Sequence, residues 1–456
     1  MDKSEVLKTV VSGLWTDSEL WDYIVKICGF GPRFGGTRGE EEATRYVEEV
    51  FKHIGLMNVR REPFEYMGWS RGTAKLEIIE PVYRELKTAI SLVQSPSTDD
   101  DGLVSEVVFV GDGTPDEFNE VRELIKDRIV LVTSRSPIKR PTHRREKYGL
   151  AVEYGAKGFI FMNSQPGYLP QTGSLRTNSI GEIPAVAVSY EDGLEIIRLL
   201  ERGSVKVRMY VKNEYGVRTS WHVYGEIPGK SKDELIIVGA HLDSHDICPG
   251  AIDNACGAAT VLELAKLLAP FKGVFERTIK FICFTLEEMG LTGSTIYVST
   301  HSDEVSRTRL MINLDGIGAH CRKTFTANGF DDLKEFVEEI LSRYCYNIEV
   351  YNEINIASDH FPFLTRGVPV LSLSCRERRL DRGYTHTYAD TLDKVDLAYV
   401  REAATLAALV IIEAAFADRL PRRRDVKEVI ELFRNKGIDE ILKRTKQWNL
   451  YFRNTT

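Results

Sequence analysis

The chain has 456 residues, of which 43% are hydrophobic and 28% charged, and its 60 basic and 67 acidic residues leave a formal net charge of -7. That length predicts two domains, and the composition predicts a globular protein with a large core. The mixed charges argue against nucleic acid as the main partner, and no stretch approaches the roughly 18 uncharged apolar residues that a membrane span needs.

The opening, MDKSEVLKTVVSGLWTDSELW, has no apolar signal core or small-residue cleavage site. The seven cysteines (Cys28, Cys248, Cys256, Cys283, Cys321, Cys345 and Cys375) are scattered and lack CxxC spacing. The expectation is therefore no disulfide framework, no cysteine-metal site and a cytoplasmic protein.

In GPRFGGTRGEEEATRYVEEVFKHIG, Gly35 and Gly36 mark a turn, Thr37 can cap a helix, and Glu40 stands where a capping box wants its acid. Ala43, Tyr46, Val47, Val50 and Phe51 continue as an apolar stripe, and Gly55 stops the helix. From about Asp101 to Tyr215 the texture changes. Short β-branched runs (VVFV, IVLV, GFIF, AVAV) alternate with polar loops and one helical stretch from Arg144 to Gly155, predicting a small strand-rich module. Its phrases KDRIVLVTSRS, EYGAKGFIFMN and IPAVAVSYEDGLEII resemble the protease-associated domain.

From Val217 onward, the apolar strands LIIVGA, TIKFICFTL, LMINLD and VPVLSLS alternate with helical stretches such as Ala255 to Leu268. This alternation predicts an α/β fold with a mainly parallel sheet covered on both faces, its working residues at the carboxyl ends of strands. Ala403 to Ile412 reads as a buried helix. The stretch from Arg422 to Thr456 is charged and helical in pattern.

Several strand ends carry chemistry. LIIVGA runs into His241, with Asp243 two residues on as a candidate orienter. Asp253 sits in the small-residue turn of CPGAIDNACG, TIKFICFTL ends in Glu287 and Glu288, LMINLD delivers Asp315, and His386 lies in a polar loop with Asp390 near enough to orient it. Each has a plainer reading alone: a loop histidine, a helix cap, a solvated strand end. Jointly, imidazole and carboxylate in the order His, Asp, Glu, Asp, His form the ligand set expected of zinc in a hydrolytic site. A shared carboxylate would let them hold two metals about 3.5–4 Å apart. His53, His143, His222, His301 and His320 have no comparable setting.

The phrases GAHLDS, PGAIDNACGAA, EEMGLTGS, NLDGIG, ASDHFPFLTRGVP and THTYADTLD resemble the di-zinc metallopeptidase family of bacterial leucyl aminopeptidases, aminopeptidase Y and glutamate carboxypeptidase. They span nearly all of Val217 to Leu397. The resemblance implies a zinc exopeptidase fold: a mixed, mainly parallel sheet with helices on both faces and a small β-rich protease-associated insert. The expected division is 1–95 and 216–420 for the peptidase, 96–215 for the insert, and 421–456 for a C-terminal helical extension.

The resemblance further implies two zinc ions, with cobalt or manganese as substitutes. His241 and Asp315 would hold one ion, Glu288 and His386 the other, and Asp253 would bridge them. Glu287 would be the general base, with Asp243 supporting the site. Asp359, His360 and Tyr384 are candidate substrate contacts. Asn355 stands where some relatives have a tyrosine, which leaves an oxyanion donor unassigned.

The expected activity is aminopeptidase cleavage of peptides by a metal-activated water. A carboxypeptidase or N-acyl amino-acid or dipeptide hydrolase on the same centre is the second reading, and an inactive binding protein of the same fold the third. Arg376, Arg378, Arg379 and Arg382 offer a place for a substrate carboxylate or, more plainly, a solvated basic loop.

Overall fold

A computed structural model describes residues 2–137, 140–375 and 383–453. Four parallel strands, Val370–Cys375, Thr308–Leu314, Ser231–His241 and Arg277–Phe284, lie side by side in that order at the centre. Parallel strands bury both faces, which is why these runs are apolar throughout rather than alternating. Even Lys280, inside a fully buried strand, is accommodated by an ion pair to Glu304 at 2.6 Å. The helices Cys256–Leu268 and Leu397–Phe416 pack against these strands and each other, and His360–Leu364 packs on Thr308–Leu314 and Val370–Cys375.

Register decides where the loops emerge. His241 pairs with Phe284, and Leu314 with Leu373, so the strands end along one edge. His241, the Glu287–Glu288 turn and Asp315 therefore leave the sheet together.

The sheet is mixed: Lys206–Ile227 pairs antiparallel with Arg277–Phe284, and Lys323–Thr326 antiparallel with Val370–Cys375. Lys206–Ile227 also pairs along most of its length with Met57–Glu80, and this long ribbon carries the sheet on into the insert. There, Leu103–Phe109, Ile129–Thr133, Gly158–Met162 and Ala185–Val188 are successive parallel neighbours. The helices Pro115–Glu120 and Arg144–Glu153 stand between them in the chain and Tyr190–Leu200 follows the last, so the insert is more helical than its strand-rich sequence predicts.

The helix Arg38–His53 starts where expected. The Thr37 side chain accepts the Glu40 N–H at 3.3 Å, but the Glu40 carboxylate reaches back to the Gly36 N–H at 2.6 Å. The helices Val426–Asn435, Ile438–Arg444 and Trp448–Phe452 form the C-terminal extension. They are a clamp rather than a solvated tail. Arg444 contacts Glu146 and Glu153 of the insert, Lys446 pairs with Glu182, and the Tyr451 hydroxyl lies 3.1 Å from Thr295 Oγ1 in the helix Thr292–Thr300.

Cys321 and Cys375 form a disulfide, Cα atoms 5.9 Å apart, a single bridge where the sequence predicts no disulfide framework. The two are 54 residues apart in the chain and meet because neighbouring strands bring their loops together. The expectation of a cytoplasmic protein rested partly on unpaired cysteines and loses that support. Among the described residues no helix is long and apolar enough to cross a membrane.

Candidate metal centre

The strand-end loops converge on one buried cluster. His241, Asp253 and Asp315 each place a ligand atom within 4.8 Å of the others. Asp253 lies in the turn Ala251–Ala255, and its two oxygens face two imidazoles: Oδ1 is 3.1 Å from His241 Nε2, and Oδ2 is 3.2 Å from His386 Nε2. His386 Nε2 is also 3.4 Å from Glu288 Oε2, and His241 Nε2 is 3.7 Å from Asp315 Oδ1. One carboxylate thus stands between two imidazole-carboxylate pairs.

Local structure fixes each donor. The Asp243 carboxylate is fully buried and accepts the backbone N–H groups of Glu287 at 3.2 Å and Glu288 at 3.0 Å, while the His241 ring lies against it. Asp390, expected to orient His386, instead accepts the N–H groups of Ile252 at 2.8 Å and Asp253 at 3.1 Å. It holds the turn that presents Asp253. Gly250 precedes that turn with φ +55°, and a Cβ there would come within 2.4 Å of the Asp253 carbonyl oxygen and Ser244 Cβ, so only glycine fits. His386 itself has φ +64°, a left-handed backbone uncommon for a residue with a side chain.

Electrostatically, the cluster gathers acids that burial alone would neutralise. Burial raises Asp253, but the hydrogen bonds to His241 and His386 outweigh it and hold the carboxyl well below the usual range. Burial pushes Glu288 up to about 7, with His386 pulling the other way. Burial opposes the charged form of His241 as well, yet its hydrogen bonds to Asp243, Asp253 and Asp315 hold it well above an ordinary imidazole. Neutralisation falls to the imidazoles. Divalent cations would supply the same positive charge while leaving the imidazoles as neutral donors. Glu288 Oε1 is buried without a hydrogen-bond partner, as an oxygen awaiting a cation would be. The donor set fits zinc.

A cavity of 1370 Å³ opens over the cluster and reaches Asp253, Glu287, Glu288, Asp315 and His386. Residues 222–411 match the model of Peptidase family M28, and residues 90–196 match the PA domain. The chain is 30% identical over 287 residues to a probable leucine aminopeptidase 2 of Arthroderma benhamiae, an alignment covering 63% of this chain and 54% of that protein. It therefore spans about half the length of that relative. It is 27% identical to carboxypeptidase Q of Bos taurus over 418 residues, 86% of this chain and 84% of that one. A crystal structure of a peptidase M28 precursor from Shewanella amazonensis SB2B superposes with a TM-score of 0.77 at 26% identity, covering 92% of this chain and 98% of that one.

The segment that matches the PA domain supplies the far wall of the cavity. Its helix Arg144–Glu153 projects Arg144 and Arg145 into the cavity, and His143, treated as bland in the sequence, caps that helix by accepting the Arg145 N–H. Arg144 is spent on the carbonyls of Thr172 and Ser174, whereas Arg145 Nη1 is buried with no hydrogen-bond partner. His320 and Asn355 also line the cavity.

Of the expected substrate contacts, only His360 lines the cavity; its Nε2 lies 3.0 Å from the Asn355 carbonyl oxygen. Asp359 is fully buried away from the cavity wall, and burial raises its carboxyl to about 7. Tyr384 sits beside Lys394, whose Nζ is 5.0 Å from the ring centroid, and does not line the cavity. Arg376, Arg378, Arg379 and Arg382 lie outside the described residues.

Three supporting residues escaped the sequence reading. Ser358 donates to Asp315 Oδ2 at 2.5 Å and accepts from Asn313 Nδ2 at 2.7 Å, so the ASDH motif acts through its serine. Arg33 of the GPRFGG opening is fully buried and bonds the carbonyls of Leu242, Pro249 and Gly250, tying the His241 and Asp253 loops together. His245, four residues past His241, reaches Glu288. The phrase HLDSH places it near His241 but does not say which way its ring points.

Proposed function

We propose that the chain is an aminopeptidase that uses two zinc ions to remove N-terminal residues from peptides. The observation that carries this reading is the Asp253 carboxylate, whose two oxygens each face a separate imidazole within 3.2 Å. His241, Asp253 and Asp315 would hold one ion, and Asp253, Glu288 and His386 the other. When bound, such a pair polarises the scissile carbonyl and brings the pKa of water toward 7.

The chain's own residues do the rest. Glu287 lies in the cavity wall, its position set by the Asp243 carboxylate at its backbone N–H. Burial raises its carboxyl well above the ordinary range, with His241 opposing and Glu288 adding to the rise. A carboxylate so tuned accepts a proton from the attacking water and returns it to the leaving amine. Because the PA domain forms the opposite wall, the substrate is a short peptide or an unstructured end. Cobalt or manganese can replace zinc with the same donors.

A second reading, a carboxypeptidase or dipeptide hydrolase on the same centre, is favoured by Arg145. Arg145 is a buried cation in the cavity wall, a charge that would favour a substrate carboxylate nearby. Rates on an aminoacyl chromogenic amide and an N-blocked dipeptide, measured on protein reconstituted separately with zinc, cobalt and manganese, separate the two. Turnover of the blocked substrate alone sinks the aminopeptidase reading, and protein that retains no zinc sinks both.

A further inference from the structure

Resting on the two-zinc reading, we propose that His245 is a protein ligand of the second ion, completing the set Asp253, Glu288, His386 and His245. Zinc bound by four protein groups is in a closed site, whereas three groups leave a position open for water or substrate. The two ions are then unequal. The one held by His241, Asp253 and Asp315 keeps the open position, and the other is held as a fixed charge.

The geometry is specific. His245 is 1% exposed, and neither ring nitrogen has a hydrogen-bond partner. A buried imidazole with neither nitrogen satisfied is destabilising, so a partner is to be expected. Its Nε2 is 2.9 Å from Glu288 Oε2 without hydrogen-bond alignment, the relation of two donors facing a common third atom rather than each other. Its ring stands at 76° to the His386 ring, centroids 4.4 Å apart, and His245, Glu288 and His386 each offer a ligand atom within 4.8 Å of the others.

The loop is braced for this placement. The ring stacks on Phe34 at 6.4 Å, and the next residue, Asp246, is held by Arg71 through two contacts of 2.7 Å. Arg71 also donates to Thr172 Oγ1 at 3.0 Å, and Thr172 contacts His386. One arginine therefore ties the supports of both imidazoles together.

The test is zinc X-ray absorption on the full-length zinc-loaded protein, with zinc counted per chain. With two zinc ions and three histidine ligands, the average is about 1.5 imidazoles per zinc, against about 1.0 without His245. His245→Ala and His245→Gln should lower the count to about 1.0. They should also weaken one of the two ions by more than the roughly 10–100-fold that loss of a mere orienting partner costs. Two zinc ions with about 1.0 imidazole each in the wild type overturn the role of His245 alone. A single zinc per chain overturns the two-metal reading and the fourth ligand with it. The wild-type measurement decides even if a variant fails to fold.

Discussion

Thr172 and His386 hold one another across the boundary between the PA domain and the peptidase layer. The Thr172 N–H donates to the His386 carbonyl at 2.9 Å, and His386 Nδ1 lies 3.3 Å from the Thr172 carbonyl oxygen. A metal-binding histidine is oriented by the bond at its other nitrogen, and here the insert makes that bond. The insert is thereby bonded to a residue of the candidate centre and does not merely lie over it.

Thr172→Pro removes the N–H that anchors the His386 backbone and thereby loosens the Thr172 carbonyl facing the His386 ring; it should lower metal affinity, by at most the about 10–100-fold that full loss of an orienting partner costs. Thr172→Ala keeps the backbone contacts and should cost much less. Metal titration of chelator-treated protein compares them; equal losses would show that the side chain, through Arg71, matters more than the backbone.

Glu287→Gln should cut kcat about 10²–10⁴-fold while two zinc ions remain bound, because Glu287 is assigned the proton rather than the metal. Turnover measured beside elemental analysis is the check. Wild-type turnover in the variant would remove Glu287 from the mechanism.

Asp243→Asn should weaken metal binding about 10–100-fold. The amide has one acceptor oxygen in place of two and sets an NH₂ against the N–H of Glu287 or Glu288, which the carboxylate oxygens accept. Zinc titration reads the effect, and an affinity equal to wild type would make Asp243 dispensable.

Chelation should lower Tm, since Asp253, Glu288 and Asp315 then share a buried site with only imidazoles to neutralise them. Restoring zinc at 1,000 times its dissociation constant should stabilise the fold by about 4 kcal/mol per site. Calorimetry before and after chelation measures it, and an unchanged Tm would mean that the cluster folds equally well without cations.

Glu40 gives a pH dependence away from the centre. It is 1% exposed, accepts the Gly36 N–H and a hydrogen bond from Ser220, and burial pushes its carboxyl up to about 8 from its ordinary 4.5. The folded state therefore holds this proton more tightly than the unfolded chain does. Its stabilising contribution is fully present below pH 4.5 and is lost as pH rises through about 8. Glu40→Gln mimics the neutral acid, so its Tm should fall less over that window; parallel slopes in variant and wild type would assign the pH dependence elsewhere.

The strands, the order of the five candidate ligands and the change of texture at the insert were legible in the residues alone. These are local or near-local properties. An apolar run followed by a small-residue turn places His241, Glu288 and Asp315 at strand ends whatever else the chain does, and the insert changes the texture of the sequence where it begins. Only the tertiary structure decided which groups support them. Thr172 lies 214 residues from His386, Asp390 is 138 residues from the Ile252 N–H it accepts, and Cys321 meets Cys375 across neighbouring strands. His245 was hidden for another reason. It stands in plain view four residues after His241, but the direction of a side chain depends on the packing of its loop. Phe34, Arg71 and Asp246 turn its ring toward Glu288, and no spacing in the sequence records that.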